Sequence, residues 1–303
     1  GDWAKQLIPD NMKDEFDKLW PHQRQGIAQA LAVIENQGAV VVADPTGSGK
    51  TKIGGWLLRL AHQRMLSKGG EMATNLTPTM VCPSSVEKYW YRIFDELGIL
   101  PQVLPIGILS GGRSRSSIER LKQIERTNLL AVDEIHNFYG KNTIRTKRLS
   151  DNWAESRIFL TATPINKDFK DLIKLMNLLG TEELDGDTFQ ELRGLDAEVK
   201  HPDKKRRERA RKKANRLIQR FMVRRTRMDL QSLANERSEQ YLLKSGRGAN
   251  YPTYIPKEYE LDSLSDNEIV GRISSNASKL LGIARITRLG QTKLEKELGI
   301  TEE

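Results

Sequence analysis

A glycine-rich segment supplies the clearest chemical signal in the sequence. Residues 43–51 read ADPTGSGKT and begin where the apolar run 39–43 ends. Glycines allow backbone N–H groups to turn toward one point, and a helix that begins there adds a dipole that favours anions. In this pattern Lys50 reaches the β- and γ-phosphates of a nucleotide, and the Thr51 hydroxyl takes a position on Mg²⁺. The predicted phosphate site consists of Thr46, Gly47, Ser48, Gly49, Lys50 and Thr51.

Two adjacent carboxylates follow another apolar run. Asp133 and Glu134 come directly after LLAV at 129–132, 82 residues beyond Thr51. A carboxylate at a strand end can hold Mg²⁺, and a second one beside it can orient or deprotonate an attacking water. Such a pair can also be an ordinary surface turn. Because the chain holds a complete phosphate segment, we expect these carboxylates to act on the nucleotide.

Short strands alternating with helices must position these residues. Apolar runs predict strands at 39–43, 79–82, 103–109, 129–132 and 158–160. Helical patterns lie between most of them, for example at 56–65 and 86–97. This alternation predicts an α/β fold, with a parallel sheet flanked by helices on both faces.

Local signals refine this prediction at two places. Ser84 and Glu87 have the capping-box spacing, so we expect Ser84 to cap the helix that begins near Val86. No strand-like run follows Gly180, and the acidic stretch 182–198 is typical of a loop.

Positive charge is concentrated in one segment. Residues 200–227 hold 14 Lys and Arg against two acids, a local charge of +12; since the whole chain carries +9, the other 275 residues sum to −3. A block of like charge can be a solvated surface. Apolar residues at 214, 217, 218, 221 and 222 recur at helical spacing and predict a docked helix. We favour contact with nucleic-acid phosphates, through Arg206, Arg207, Lys212 and Lys213.

Composition excludes several classes of protein. Of the 303 residues 38% are hydrophobic, enough for a core and for one large or two medium domains. The single cysteine, Cys82, excludes an intramolecular disulfide and a multi-cysteine zinc site. No apolar run reaches the roughly 18 residues of a membrane span, and the polar start is unlike a signal peptide. We expect no membrane partner and an intracellular location, cytoplasmic or nucleoid-associated if bacterial.

The order of the motifs adds a family resemblance. In chain order they are PHQRQG at 21–26, ADPTGSGKT at 43–51, DEIH at 133–136 and LTATP at 160–164. This set resembles the first RecA-like lobe of a superfamily-two helicase, and most closely the Swi/Snf-type group of double-stranded-DNA translocases. MVCPSSVEKYW at 80–90 is similar to that group's motif Ia, and FMVRRTR at 221–227 to its Phe-Leu-x-Arg-Arg-Thr-Lys element. The resemblance spans roughly residues 19–230.

Two departures from general patterns are informative. The general phosphate loop begins with glycine, whereas this chain has Asp44, which fits the Swi/Snf motif I better. In motif III, Ala162 replaces the group's usual glycine, and Asn166 matches the asparagine that follows.

The resemblance implies ATP and Mg²⁺ as cofactors. Gln23 would read the adenine, although an ordinary exposed glutamine is the alternative. Lys50 would hold the phosphates, while Thr51 and Asp133 would hold Mg²⁺. Glu134 would activate water, which makes Glu134, Lys50 and Asp133 the predicted catalytic set.

The resemblance also implies DNA as a partner, with duplex DNA favoured. His136, Thr161 and Thr163 would couple the nucleotide state to DNA contact; His136 can equally be a structural histidine. Arg113 and Arg115, in SGGRSR at 110–115, are the candidate contacts before the DEIH motif.

The predicted domains are a RecA-like lobe at 1–195, a basic helical extension at 196–250, and, at 251–303, a linker or the helical start of a missing second lobe. About 75 residues follow Arg227, too few for a second RecA-like lobe, which we expect as a partner in the full-length protein. An arginine pattern at 285–293 is similar to motif VI, but we interpret it as coincidence. We expect this chain alone to bind ATP weakly and hydrolyse it slowly.

The predicted function is the ATP-binding lobe of a DNA-dependent ATPase that moves along duplex DNA. A lobe of a DExH-type RNA or DNA helicase is one alternative, and a nucleic-acid-binding module with little ATPase activity is another. The element at 221–227 favours the Swi/Snf interpretation over the DExH one. The presence of both Lys50 and Glu134 favours an active ATPase.

Overall fold

Most of the chain up to residue 251 is described by the structure, a computed structural model. The described residues are 8–69, 77–111, 115–140, 143–152, 154–165, 169–180, 186–243 and 248–251. All of them fall within one compact unit, Gly1–Thr253, whereas a second unit, Tyr254–Glu303, lies outside them. The arginine pattern at 285–293 therefore lies outside the described residues, and the domain divisions at 195/196 and 250/251 stay predictions.

A parallel sheet forms the centre of this unit. Its strands are β1 (Ala39–Val42), β2 (Thr79–Cys82), β3 (Gln102–Pro105), β4 (Leu129–Asp133), β5 (Ser156–Leu160) and β6 (Met222–Val223). Their order across the sheet is β3-β2-β4-β5-β1-β6, and every neighbouring pair is parallel. The carboxyl ends of parallel strands share one edge, so the segments after β1, β4 and β5 meet there. The predicted α/β fold with a parallel sheet is confirmed.

Helices cover both faces of the sheet. They are α1 (Lys13–Asp17), α2 (Pro21–Gln37), α3 (Lys50–Gly69), α4 (Glu87–Glu96), α5 (Arg115–Arg126), α6 (Ile144–Ser150), α7 (Phe169–Leu179), α8 (Gly186–Val199), α9 (Lys204–Ile218) and α10 (Arg227–Glu236). Successive strand side chains point to opposite faces. Val40 and Val42 accordingly pack with α1–α4, whereas Ala39 and Val41 pack with α5–α9.

Helix α3 lies unusually close to the sheet and to α4. A Cβ atom at Gly54 would lie 2.5 Å from Leu160 Cδ1 and 3.0 Å from Trp90 Cη2. Glycine at this position therefore allows α3 to approach both β5 and α4. This approach brings the start of α3, where the phosphate segment ends, to the edge that the carboxylates occupy.

The acidic stretch was wrongly predicted as a loop. Residues Gly186–Val199 form helix α8. Leu192 and Leu195 are buried and Val199 packs against the same core, so one apolar stripe faces that core. The acidic residues dominate the composition, and they obscured the helical spacing of the three apolar ones.

Two strand predictions also need correction. The run at 103–109 is divided: β3 ends at Pro105 and residues Ile106–Ser110 form a 3-10 helix, because proline has no N–H to continue a ladder. A sixth strand, Met222–Val223, lies beyond Gly180 and pairs with β1. Two residues are too few to give a strand pattern in the sequence.

The predicted helix cap at Ser84 does not form. Residues Ser84–Val86 are a 3-10 helix, and α4 begins at Glu87 without a side-chain cap. The 3-10 turn leads directly into the helix and provides its first turn instead.

The predicted docked helix in the basic segment is confirmed as α9. Ala210, Ala214 and Leu217 form its buried stripe, and Phe221 and Met222 beyond its end are buried as well. Of the helices in the described residues, none combines the length and apolar character needed to cross a membrane.

Candidate nucleotide site

The phosphate segment forms a turn that requires glycine at two positions. It connects β1, which ends at Val42, to α3, which begins at Lys50. Gly47 and Gly49 both have a φ of 84°, which side chains with a Cβ rarely adopt. A Cβ at Gly49 would also overlap Gln23 Nε2. The turn therefore leads into the N-terminus of a long helix, the geometry that binds phosphate.

Lys50 lies between this turn and the carboxylates of the site. Its Nζ donates to the carbonyl of Pro45 at 3.1 Å. Burial lowers the pKa of Lys50, while the charges of Glu134, Asp44 and Asp133 act in the opposite direction. Lys50 therefore interacts electrostatically with both of the predicted catalytic carboxylates, Asp133 and Glu134.

The hydroxyl residues of the segment differ in their surroundings. Ser48 Oγ is buried and has no hydrogen-bond partner within the described part of the chain. Thr46 is exposed, and its Oγ1 accepts a hydrogen bond from Arg227 Nη2 at 3.0 Å. Thr51 is half-buried in the first turn of α3. A buried hydroxyl without a partner and a half-buried one beside a lysine suit a polar ligand.

Asp133 is fixed at the end of β4 by two donors. Trp90 Nε1, from α4, donates to its Oδ2 at 3.0 Å, and the backbone N of Glu134 donates to its Oδ1 at 2.9 Å. Burial raises the pKa of Asp133, a shift opposed by the Trp90 hydrogen bond. Its carboxylate is therefore held in one orientation in a partly dehydrated position.

Glu134 turns sharply away from the strand. Its φ of 52° lies in the left-handed region, and no other non-glycine residue of the described ranges has a positive φ. Such a conformation is disfavoured for a side chain with a Cβ and is frequent at functional sites. Its Oε2 lies 3.1 Å from His136 Nδ1.

Close polar contacts run from Glu134 through His136 to the segment after β5. His136 Nδ1 lies 3.2 Å from Thr161 Oγ1, and the backbone N of Thr163 donates to the same oxygen at 3.1 Å. The DEIH and LTATP motifs are therefore in direct contact. The structure brings together Glu134, His136, Thr161 and Thr163. The order of the motifs in the sequence did not by itself establish this contact.

Gln23 contacts the phosphate segment from α2. Its Oε1 accepts from the backbone N of Trp20 at 3.0 Å, and its Nε2 donates to the Ser48 carbonyl at 3.1 Å. His22 Nε2 lies 2.8 Å from the same carbonyl and must donate to it, so Nδ1 accepts from the Tyr241 hydroxyl at 3.1 Å. Both ends of the Gln23 amide are thus engaged by the protein, and its adenine contact stays a prediction.

Asp44 forms a buried ion pair that the sequence analysis missed. Arg225 follows β6, and its backbone N and Nη1 donate to the two carboxylate oxygens of Asp44 at 2.9 and 2.8 Å. This partner explains an acidic residue where the general pattern has glycine. The available signal was the combination of that departure with the double arginine at 224–225. The Trp90 contact with Asp133 was also missed.

The candidate DNA residues of the basic segment lie on α9. Arg206 and Lys212 are exposed, whereas Lys213 Nζ pairs with Glu191 at 3.1 Å. Arg207 is half-buried and donates to two backbone carbonyls before the helix, those of His201 and Pro202, at 3.2 and 3.1 Å.

The second set of candidate DNA residues is only partly described. Arg115 is 95% exposed at the start of α5, with its Nε 3.6 Å from Glu119 Oε1. Arg113 and Asn166 lie outside the described residues. The DNA roles of both sets stay predictions.

Comparisons with known proteins agree with the motif order. Residues 101–246, 146 of the 303 residues, match the family described as SNF2-related domain. The chain is 24% identical over 214 residues to a Xenopus tropicalis protein, the SWI/SNF-related matrix-associated actin-dependent regulator of chromatin subfamily A containing DEAD/H box 1. That match covers 61% of this chain and 20% of the relative. It is 25% identical over 253 residues to DNA repair protein rhp54 of Schizosaccharomyces pombe, covering 69% of this chain and 29% of the relative.

Solved structures show the same fold. The SWI2/SNF2 ATPase core of Sulfolobus solfataricus in complex with dsDNA matches with a TM-score of 0.52 and 22% identity, over 70% of this chain and 45% of that one. A structure of the Sulfolobus solfataricus SWI2/SNF2 ATPase core domain also matches, with a TM-score of 0.52 and 22% identity, over 72% of this chain and 45% of that one.

The chain spans less than a third of the length of the curated relatives it matches. The family match at 101–246 includes β3, β4, β5 and β6, together with the DEIH and LTATP motifs. Over residues 101–246 the chain is similar to the SNF2-related domain family, and its parallel sheet is the fold of the SWI2/SNF2 ATPase core structures.

Proposed function

We propose that this chain is the ATP-binding lobe of a DNA-dependent ATPase that moves along duplex DNA. The observation that carries the proposal is the meeting of three motifs at one edge of the sheet. The phosphate segment follows β1, the carboxylates end β4, and Thr161 and Thr163 follow β5, which lies between those two strands. This arrangement supports the proposal because it brings together the residues that would bind phosphate, hold a metal ion and activate water.

Each group of the site suits one part of ATP hydrolysis. The backbone of the turn and the start of α3 would bind the phosphates, and Lys50 would neutralise the terminal ones. Thr51 and Asp133 would hold Mg²⁺, which protein sites often bind through one or two carboxylates together with substrate phosphates. When bound, Mg²⁺ supplies charge that stabilises the phosphoryl group during transfer.

Glu134 is the group best suited to accept a proton from the attacking water. It lies next to the carboxylate that would hold the metal, and His136 and Thr161 fix its surroundings. The Oε2 of Glu134 is buried and has no hydrogen-bond partner in the described part of the chain, so it would be available to a bound water. His136 also contacts Thr161, which accepts from the backbone N of Thr163, so a movement of the segment after β5 would reach the histidine beside the base.

DNA as the partner is supported by the relatives and by charge. One relative is called a DNA repair protein, and one similar structure is a complex with dsDNA. The +12 segment 200–227 contains α9, whose basic side chains are mostly exposed. A second RecA-like lobe, expected from the family resemblance, would complete the motor by stabilising transition-state charge.

The first test is nucleotide binding by the 303-residue chain. We expect saturable binding of a fluorescent ATP analogue with Mg²⁺, and an affinity lower by about tenfold or more in Lys50→Ala, because a charge-assisted contact is lost. Lys52→Ala is the matched control, since Lys52 is exposed on the same helix. Equal affinities for wild type and Lys50→Ala would contradict the proposal.

The second test concerns the nucleic acid. In the full-length protein, phosphate release should be stimulated more by duplex DNA than by single strands or RNA. Stronger stimulation by RNA would favour the DExH alternative. DNA binding that ignores both ATP and Lys50→Ala would favour a binding module, the second candidate, which rests on the exposed charge of α9.

A further inference from the structure

The start of the phosphate segment is tied to the segment after β6. The side chains of Asp44 and Arg225 are 0% and 9% exposed. The backbone N and Nη1 of Arg225 each donate to one oxygen of the Asp44 carboxylate, at 2.9 and 2.8 Å. A contact at both oxygens fixes the orientation of the carboxylate as well as its position. The first residue after Ala43 is thereby fixed to a neighbouring strand.

Further contacts hold the same region. On α2, a Cβ at Gly26 would lie 3.0 Å from Arg225 Nη1, so the guanidinium packs directly against this glycine. Arg225 Nη2 lies 3.4 Å from Gln29 Oε1. Two residues farther on, Arg227 donates to Thr46 in the phosphate segment. Arg225 therefore occupies a closely fitted space between α2 and the phosphate segment.

A contribution to stability does not by itself explain the buried Asp44–Arg225 ion pair. Removing two charges from water is costly, and apolar residues of similar volume are often equally stable in their place. Arg157, a second buried arginine, makes a useful contrast. It donates to backbone carbonyls, one of them that of Leu178 at 2.9 Å, and lies near the start of β5 at the opposite edge of the sheet. Arg225 instead bonds a carboxylate inside the phosphate segment.

We propose that Arg225 is a positioning residue for the nucleotide, acting through Asp44. The pair holds the start of the phosphate segment so that the turn at Gly47 and Gly49 remains open to phosphate. When the pair is broken, the segment samples other conformations, and nucleotide affinity falls in proportion to the lost binding-competent fraction. This inference rests on the proposed function, because it requires that the segment bind a nucleotide.

The experiment separates positioning from folding. Arg225→Met leaves Asp44 buried without its partner, so it lowers both stability and nucleotide affinity. The double variant Asp44→Asn/Arg225→Met removes both charges, retains an oxygen for the backbone N of residue 225, and should recover most of the stability. We expect its Kd for ATP with Mg²⁺ to stay raised by about tenfold. Arg225→Lys should give an intermediate Kd, because lysine keeps the charge and loses the fork geometry.

Arg157→Met is the matched control, a buried arginine removed at the far edge of the sheet. It should lower stability while leaving the nucleotide Kd of the folded fraction within about twofold of wild type, because distant sites act independently. All affinities are measured in the 303-residue chain where urea titration and circular dichroism show folded protein. Wild-type affinity in the stable double variant, or an equal loss in Arg157→Met, would overturn the positioning role.

Failure of the proposed function gives a different result. If wild-type protein does not bind nucleotide, or Lys50→Ala binds as well as wild type, the function itself is wrong. If Lys50→Ala is impaired while the stable double variant is not, only the role of Arg225 is wrong.

Discussion

The carboxyl edge of the sheet and the basic helix α9 use polar residues in opposite ways. At the edge, polar side chains are buried and bonded to one another; they include His22, Gln23, Asp44, Thr161 and Arg225. On α9 most basic side chains are exposed, and the helix is held by the apolar stripe Ala210, Ala214 and Leu217.

This difference separates two kinds of consequence. A buried polar group that loses its partner carries the full cost of its lost hydration, so changes at the edge affect stability and geometry together. An exposed charge keeps its water, so changes at exposed positions such as Arg206 and Lys212 affect mainly long-range attraction. We therefore expect edge substitutions to alter nucleotide chemistry and α9 substitutions to alter association with nucleic acid.

The largest expected effect is on hydrolysis. Glu134→Gln should lower the rate of phosphate release by about 10²- to 10⁴-fold, because a general base is lost. The nucleotide Kd should change by less than about threefold, since that base acts in the transition state. Glu96→Gln, an exposed position on α4, is the control. Unchanged hydrolysis in Glu134→Gln would assign the base to another residue.

The second effect concerns α9 alone. Reversing Arg206, Arg207, Lys212 and Lys213 to Glu should weaken duplex DNA binding and flatten the plot of log K against log salt by about 3 to 4 units, because each phosphate contact contributes about 0.9. Nucleotide affinity should not change. Filter binding or fluorescence anisotropy at several salt concentrations measures the slope.

A two-charge comparison tests whether position matters. Lys212→Glu/Lys213→Glu and Lys13→Glu/Lys18→Glu change the net charge equally, and the second pair lies on or next to α1. Equal losses of DNA affinity in the two double variants would mean that only net charge matters. The prediction that α9 itself contacts DNA would then be wrong.

A third prediction concerns pH and the edge. Burial lowers the pKa of His22, so the folded state favours the neutral imidazole that donates to Ser48. This stabilisation is complete above the ordinary histidine pKa of about 6.5 and decreases as pH falls below it, by at most about 1.4 kcal/mol per pH unit. Urea unfolding at pH 7.5 and 5.5 should show a smaller difference in His22→Gln than in wild type. An equal difference would assign the acid sensitivity to other groups.

The smallest expected effect is the loss of one helix cap. We compare one cap from the carboxyl edge with one from α9. Thr226 Oγ1 accepts from the backbone N of Asp229 at the start of α10, and Asp203 Oδ1 accepts from that of Lys205 at the start of α9. Thr226→Ala and Asp203→Ala should each lower the free energy of unfolding by about 1 kcal/mol. Only Thr226→Ala should also weaken nucleotide binding, because Arg225 and Arg227 flank it. Equal nucleotide affinity in the two variants would contradict the expectation that only the carboxyl edge affects nucleotide binding.

Much of the fold followed from local patterns. The runs at 39–43, 79–82 and 129–132 predicted β1, β2 and β4 because buried parallel strands are continuously apolar. The prediction failed at α8, where acidic residues masked an apolar stripe, and at β6, whose two residues form a strand only because β1 offers an edge. Both elements depend on tertiary contacts that local sequence does not express.

For the site, the sequence by itself determined which residues carry the chemistry. The glycines, Lys50, Asp133 and Glu134 are recognisable because phosphate and metal binding demand those types in that order. Only the tertiary structure decided which other residues hold these groups in position. Asp44 and Arg225 are 181 positions apart, and they meet because β6 pairs with β1 in a register that aligns their ends. Such pairing is set by the packing of the whole sheet, which no short segment of sequence contains.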